Sequence, residues 1–162
     1  MTILIRAAHS TEIDWINQKY DEVDFVHSVF EKEIIAIAEH EGEKAGIGRL
    51  VTIDDNNLEL GGMYVFEPFR KKGIAKEIVQ FLLKQARPFQ TVYCIPFQHL
   101  VPFYQSYSFE DYKDLNQAPH EIVAKYLWCK EKYPHPTSLL CFRREVCGQK
   151  DLNLHRVAPT RT

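Results

Sequence analysis

LELGGMYVFEPFRKKGIAKEIVQFLLKQAR, residues 58–87, is the stretch that decides the fold of this chain. It predicts a strand over 58–65, a short basic loop, and a helix over 74–86, because the apolar residues of the last part recur at helical spacing. Pro68 ends the strand segment, and Pro88 ends the helix. The stretch is therefore the first part of a strand–helix–strand unit.

The loop carries three cations, Arg70, Lys71 and Lys72, directly before Gly73. The first amides of a helix have no intrahelical partner, and the helix dipole adds partial positive charge there. Gly73 has no side chain that would keep a ligand away from those amides. The pattern predicts a phosphate or pyrophosphate site, although a solvated basic turn before a surface helix explains the charges equally well.

The order of these residues carries a family resemblance. Arg-x-x-Gly-x-Ala at 70–75 resembles the acetyl-CoA-binding motif of the GNAT N-acyltransferase superfamily, (Gln/Arg)-x-x-Gly-x-(Gly/Ala). The run GGMYV at 61–65 looks like that family's central strand, whose backbone holds the pantetheine arm. Many members have Pro before an acidic residue where this chain has Glu67-Pro68. The resemblance implies that acetyl-CoA is bound by Met63, Tyr64, Val65, Arg70, Lys71, Lys72, Gly73, Ile74 and Ala75.

A second segment, LVPFYQSYSF at 100–109, resembles the family signature Phe-Tyr-x-x-x-Gly-Phe, especially in the form seen in arylalkylamine N-acetyltransferases. By motif position the resemblance makes Tyr104 the general acid that protonates the leaving thiolate, in contact with the cofactor. The alternative is a tyrosine packed in an aromatic core with Phe103, Tyr107 and Phe109. Ser108 stands where the family has glycine, which leaves the geometry of that turn open.

The rest of the chain predicts an α/β fold. The strand–helix–strand unit implies a parallel pair, 58–65 beside 91–97, with a ligand crevice at the carboxyl ends of the two strands. The resemblance implies the GNAT fold, a mixed and mostly antiparallel sheet with one parallel pair splayed around the cofactor and helices on both faces. The other expected strands are 2–7, 33–39, 46–53, 108–112 and 138–143, and the other helices are 12–23, 99–107 and 119–133.

Residues 1–147 are expected to form a single domain, followed by a tail over 148–162. The helix 119–133 is an insertion relative to the plain family pattern, with an apolar side formed by Ile122, Val123, Tyr126, Leu127 and Cys129. It either walls an acceptor pocket or covers a sheet edge, and we favour the second interpretation. A sheet edge near the C-terminus could also pair with a second copy, which would give a homodimer.

The composition excludes several function classes. A net charge of −2 argues against a nucleic-acid partner, and no apolar run is long enough for a membrane partner. The sequence lacks a Walker loop, a Gly-x-Ser-x-Gly elbow and a His-Glu-x-x-His motif, so we expect no metal cofactor. Without a signal peptide or a Cys-x-x-Cys pair, the four cysteines (94, 129, 141 and 147) are expected to be reduced thiols of a cytoplasmic enzyme.

The predicted function is transfer of the acetyl group of acetyl-CoA to a primary amine by direct attack in a ternary complex. The acceptor is a small-molecule amine or a protein amino group, and the acidic patch Asp21, Glu22 and Asp24 either attracts a cationic amine or is a solvated helix end. Alternatives are a non-catalytic acyl-CoA sensor or regulatory module, and an interaction protein that keeps only the fold. Candidates for the general base are Glu33, Glu59 and His99.

Overall fold

The computed structural model describes residues 2–143, and within them a seven-stranded mixed sheet carries four helices. The strand order is β1-β2-β3-β4-β5-β7-β6. The strands are β1 Ile3–Ala7, β2 Glu33–His40, β3 Glu43–Asp54, β4 Asn57–Val65, β5 Thr91–Cys94, β6 Glu110–Asp111 and β7 Leu140–Arg143; the helices are α1 Ile13–Glu22, α2 Ile74–Leu83, α3 Val101–Gln105 and α4 His120–Lys132. Cys147 and the tail predicted over 148–162 lie outside the described residues.

The predicted parallel pair is confirmed. β4 and β5 run parallel from the pair Asn57–Thr91 to the pair Leu60–Cys94, and the other neighbouring strands of the described sheet are antiparallel. All four residues of β5 are buried, as expected for a strand covered on both faces. The fold class predicted from the sequence is therefore confirmed.

Several element boundaries differ from the sequence-based prediction. The predicted strands 33–39 and 46–53 leave residues 40–45 between them, but the turn between β2 and β3 is only two residues long. Glu41 and Gly42 both take positive φ, 52° and 86°, as a type I′ turn requires. The strand predicted over 91–97 ends at Cys94. Pro96 cannot donate to a strand ladder, and pairing resumes only as a single bridge between Phe97 and Thr137.

Helices cover both faces of the sheet. α2 packs on one face in a cluster that includes Ala36 and Ala38 of β2. α1 packs on the other face, where Ile16 and Tyr20 meet Ile35 and Ile37. These residues of β2 alternate, as the two faces of a strand require. α4 lies on the same face as α1, since Ile122 packs on Tyr93 of β5, which is in register with Glu59 of β4.

β4 separates from β5 after Leu60. Beyond the pair Leu60–Cys94, β4 continues to Val65 beside β3 alone among the described strands. One extra residue of β4 is accommodated between the pairs Arg49–Gly61 and Ile47–Tyr64, which is a β-bulge. Gly62 at this bulge has φ 59°, and its carbonyl accepts a 2.7 Å hydrogen bond from the Tyr20 hydroxyl. The bulge bends β4 and opens a crevice between the parallel strands.

We predict that Gly62→Ala destabilises the fold by about 2–4 kcal/mol, because a left-handed φ and a steric clash are both unfavourable for alanine. A methyl group there would lie 2.5 Å from the Tyr20 hydroxyl oxygen and 2.7 Å from Arg49 Nε. Gly61→Ala is the matched control, since a methyl group at Gly61 meets only Glu59 Oε2, at 3.6 Å. Urea unfolding measures both, and equal losses would contradict the role of Gly62.

Candidate active site

A cavity of about 150 Å³ lies where β4 and β5 separate. The bulged part of β4, the residues that follow β5, α3, α4 and the loop between α1 and β2 all contribute to its walls. Its lining residues are Phe25, Val26, Arg49, Glu59, Leu60, Gly61, Gly62, Met63, Cys94, Ile95, Pro96, Phe97, Leu100, Tyr104, Lys125, Trp128, Cys129, Tyr133 and Thr137. The crevice predicted at the carboxyl ends of the parallel pair is therefore present.

The bulged part of β4 presents a free backbone edge to the crevice. The Phe66 amide donates to Ala45 of β3 at 2.9 Å. Because successive residues of a strand alternate in direction, the amides and carbonyls of Met63 and Val65 point away from β3. The Val65 carbonyl accepts a 3.0 Å hydrogen bond from Arg70 Nε, which agrees with that direction. Met63 and Val65 therefore present backbone groups on the side away from β3, whereas the backbone groups of Tyr64 face β3.

The basic loop has the geometry of an anion site. Gly73 precedes α2 in the left-handed region, with φ 82°, and a side chain there would meet nothing within 4 Å. The Glu77 amide bonds back to Gly73, at 3.3 Å, so the amides of Ile74 and Ala75 have no acceptor within the helix. Arg70, Lys71 and Lys72 are exposed. Among the described residues none of these three has a carboxylate partner.

Tyr104 belongs both to the cavity wall and to an aromatic cluster. It is 5% exposed, and its ring contacts those of Phe103 and Phe109 at centroid distances of 5.0 and 5.7 Å. Its hydroxyl lies near the Cys94 thiol. Burial, followed by the influence of Cys94, raises the pKa of Tyr104 well above its usual value. The hydroxyl therefore holds its proton at neutral pH.

The turn after α3 keeps a glycine-like conformation although it contains serine. Ser108 has φ 74°, in the left-handed region that favours glycine. The Phe109 amide closes the turn on the Tyr104 carbonyl, at 3.3 Å. The substitution that left this turn geometry open is therefore accommodated, and Phe109 is buried beside Tyr104.

The three candidates for a general base lie in different surroundings. Glu59 is buried, lines the cavity and accepts a 2.6 Å hydrogen bond from Lys125 Nζ. Glu33 does not line the cavity, and its Oε2 accepts from the Val29 amide at 2.9 Å. His99 is exposed and stacks on Phe97 outside the cavity. Only Glu59 of these three reaches the cavity.

α4 is a wall of the cavity, which corrects the interpretation favoured from the sequence. Its Ile122 packs on a face of the sheet rather than over an edge, and Lys125, Trp128 and Cys129 line the cavity. Leu127, predicted on the buried side, is 48% exposed. The helical spacing identified the helix but misjudged its orientation, because a crevice rather than a flat sheet lies beneath part of it.

Some cavity-lining residues were missed in the sequence. Arg49, which is buried and lines the cavity, could have been noticed as a lone cation in the apolar strand GIGRLVTI, residues 46–53. Lys125 and Trp128 gave no such signal, because charged and aromatic residues are ordinary on an amphipathic helix. The acidic patch Asp21, Glu22 and Asp24 does not line the cavity.

Residues 2–143 contain neither a metal-ligating cluster nor a membrane-spanning helix. No group of three or more His, Cys, Asp or Glu side chains is arranged to hold a metal ion in this part of the chain. None of the helices described above has the length and apolar character needed to cross a membrane. Cys94, Cys129 and Cys141 are free thiols.

The sequence matches the family model described as Acetyltransferase (GNAT) family over residues 5–109. The chain belongs to the GNAT family of acetyltransferases. The match ends before α4, so the helical wall of the cavity lies outside the GNAT segment. A search of curated proteins finds no significant match.

Solved GNAT structures share the fold. N-acetylglutamate synthase from Neisseria gonorrhoeae, complexed with coenzyme A and N-acetyl-glutamate, superposes with a TM-score of 0.67 at 18% identity; the match covers 90% of this chain and only 36% of that one. Rv2747 from Mycobacterium tuberculosis, in complex with CoA and NLQ, superposes with a TM-score of 0.67 at 20% identity, and the match covers 86% of this chain and 98% of that one. A GNAT acetyltransferase from Elizabethkingia anophelis with acetyl-CoA bound superposes with a TM-score of 0.60 at 15% identity, and the match covers 89% of this chain and 98% of that one.

The basic loop predicts how charge removal affects acetyl-CoA binding. The double variant Arg70→Ala, Lys72→Ala should weaken the affinity by about tenfold to a hundredfold, since each charged hydrogen bond contributes about 1.5–3 kcal/mol when buried and less when exposed. Lys84→Ala, Arg87→Ala removes the same charge at the other end of α2 and should leave the affinity almost unchanged. Calorimetric titration with acetyl-CoA and free CoA measures both, and equal weakening would show only a general charge effect.

Proposed function

We propose that this GNAT protein transfers the acetyl group of acetyl-CoA to the primary amine of a small molecule or of a protein. The observation that carries the proposal is the opening between β4 and β5, where a free strand edge, Tyr104 and a cavity with ionisable walls meet. Acetyl-CoA would approach from the face of α2, and the amine from the face of α1 and α4. Direct attack within a ternary complex then needs no covalent enzyme intermediate.

On the cofactor side, the backbone of Met63 and Val65 would hold the pantetheine arm. The loop residues Arg70, Lys71, Lys72 and Gly73, with the first amides of α2 at Ile74 and Ala75, would hold the pyrophosphate. The exposed cations of the loop and the left-handed φ of Gly73 support this assignment. The solvated-turn alternative does not account for the backbone groups that β4 leaves free.

In the reaction, the amine nitrogen attacks the thioester carbonyl carbon, and the carbon–sulfur bond breaks as the amide forms. The thiolate sulfur takes the Tyr104 hydroxyl proton, the amine releases its surplus proton to water, and water returns a proton to Tyr104. A tyrosine of raised pKa can donate its proton here, because burial from water also makes the leaving thiolate a stronger base. Burial also raises the pKa of the neighbouring Cys94 thiol.

Glu59 is our candidate for a group that helps the amine lose its proton. It is the cavity-lining carboxylate among the described residues, and its bond to Lys125 holds it in place at the cavity wall. Deprotonation through water remains compatible with this position, since Glu59 can orient a water molecule as well as accept a proton.

The proposed class of acceptor rests on the shape of this cavity rather than on similarity to proteins of known structure. The complexes of the structural neighbours contain CoA with N-acetyl-glutamate in one case and a bisubstrate analogue, CoA-Ac-MVNAL, in another. Those ligands belong to those proteins, at 18% and 11% identity. A small cavity closed by α4 favours a small amine over a long protein segment for this chain.

Tyr104→Phe should lower kcat by about a hundredfold or more, because general acid catalysis contributes about 10²–10⁴ in rate, while acetyl-CoA affinity stays nearly constant. Tyr107→Phe is the matched control, since Tyr107 contacts the same Phe103 ring, at 5.3 Å, but does not line the cavity. Turnover is followed by chromatographic detection of CoA and the acetylated amine. Unchanged turnover in Tyr104→Phe would exclude the acid role.

The second candidate is a sensor that binds acyl-CoA without catalysis. The observation that favours it is the burial of Tyr104 against the rings of Phe103 and Phe109, which gives Tyr104 a structural role. Acetyl-CoA binding without an acetylated product from any amine of a broad panel would establish this alternative over the enzyme.

A further inference from the structure

Arg49 is a buried cation in the wall of the cavity. It lies in the middle of β3, opposite Gly61 of β4, and is 6% exposed. Its side chain is on the face of α1 and α4, where an acceptor would enter. Gly61 and Gly62 have no side chains to fill the space in front of it, and Arg49 lines the cavity.

The guanidinium has no anionic partner within the described residues. No carboxylate oxygen of residues 2–143 lies within 4.0 Å of it. Glu33, on the same face of the neighbouring strand, directs Oε2 to the Val29 amide, and its Oε1 is buried without a hydrogen-bond partner in the described part of the chain. The Arg49 contacts are a 2.6 Å hydrogen bond from Nη1 to Ser28 Oγ and the Tyr20 ring, 4.5 Å from Cζ to the centroid. A buried charge with one neutral acceptor is ordinarily unfavourable.

The other charges of the cavity do not compensate Arg49. The charged residues that line the cavity are Arg49, Glu59 and Lys125. Glu59 and Lys125 neutralise each other across 2.6 Å. One positive charge therefore remains, and it is the buried one.

Arg49 is also held in a fixed orientation. The Ser28 amide donates to Asn17 Oδ1 at 2.7 Å, and Asn17 Nδ2 donates back to the Ser28 carbonyl at 3.3 Å. Tyr20, below the guanidinium, is fixed by its bond to Gly62. A guanidinium has several N–H donors in a planar fork, and Ser28 uses one of them. The donors that remain can reach a ligand in the cavity.

We propose that the acceptor of this protein carries a carboxylate, which pairs with Arg49 while the amine faces the thioester. A planar fork matches a carboxylate in two parallel hydrogen bonds, and the low-dielectric wall strengthens the pairing. The apolar walls from Phe25, Phe97 and Trp128 suit an apolar side chain on the same molecule. The substrate class is thus a small amino acid or amino-acid-like amine, and this assignment rests on the proposed function.

The test separates carboxylate binding from catalysis by using reaction products. Calorimetric titration of the full chain with CoA bound compares the N-acetyl derivatives of glycine, leucine, phenylalanine and glutamate with the α-carboxamides of the same N-acetyl amino acids. None of these compounds has a free amine that would complicate the comparison. At least one acid should bind about tenfold or more tightly than its amide, the strength expected of a charged hydrogen bond. Absence of such a difference across the panel overturns the proposal.

Variants then assign the difference to one side chain. Arg49→Met should bring the acid and its amide to equal affinity, and Arg49→Lys, which keeps the charge without the fork, should retain only part of the difference. Arg143→Met is the matched control, since Arg143 also bonds to a hydroxyl, Thr91 Oγ1 at 2.7 Å, but outside the cavity. CoA affinity reports folding in each variant. A full preference for the acid in Arg49→Lys and Arg49→Met overturns the assignment.

Kinetics distinguishes the two proposals. With acetyl-CoA, phenylalanine should be acetylated with a lower KM than phenylalaninamide or phenethylamine, and Arg49→Met should remove that advantage by raising the KM for phenylalanine. Acetylation without any carboxylate preference overturns the Arg49 proposal and leaves the enzyme in place. Preferred binding of the acids without acetylation of any amine overturns the enzyme and supports the carboxylate site.

Discussion

The bulge of β4, which lies just beyond its last pair with β5, is held by the hydrogen bond from the Tyr20 hydroxyl to the Gly62 carbonyl. Gly62 takes a left-handed φ at the bulge, and the space next to it is filled by Tyr20 and Arg49, so no side chain could be accommodated there. Parallel pairing stops at Leu60, two residues earlier. An unpaired strand edge in a protein interior is unfavourable unless its amides and carbonyls find other partners. The free edge of β4 is therefore available for a ligand that offers such partners.

This opening gives the site two sides with different chemistry. On the face of α2, the backbone of β4 and the start of the helix supply amides, and the loop adds exposed cations. On the face of α1 and α4, side chains take over: an ion pair between Glu59 and Lys125, the buried Arg49 and several aromatic rings. Tyr104 stands at the junction of the two sides. Backbone contacts suit a ligand that is common to many proteins of one family, whereas side chains can differ between them and so select the acceptor.

The acceptor side is assembled from parts that are far apart in sequence. Ser28 precedes β2, Arg49 lies in β3, Glu59 in β4 and Lys125 in α4, and the last of these is beyond the segment that matches the GNAT model. Arg49 is held between the Ser28 hydroxyl and the Tyr20 ring, and Tyr20 also fixes the bulge. Tyr20 thus holds the bulge of β4 and also orients the Arg49 guanidinium. The shape of the crevice and the position of its positive charge therefore depend on the same residue.

The sequence by itself determined most of the helices and strands and the position of the basic loop before α2. The strand, basic loop and helix of residues 58–87 are local, because glycine, proline and helical spacing act over a few residues, and the parallel pairing follows from the helical crossover. The position of Tyr104 followed from a short motif, and Ser108 kept the turn that the motif requires. Only the tertiary structure decided which residues line the cavity on the face of α1 and α4. Which cation remains unpaired, and which face of α4 meets the crevice, depends on contacts between distant segments, and no local pattern of residues records them.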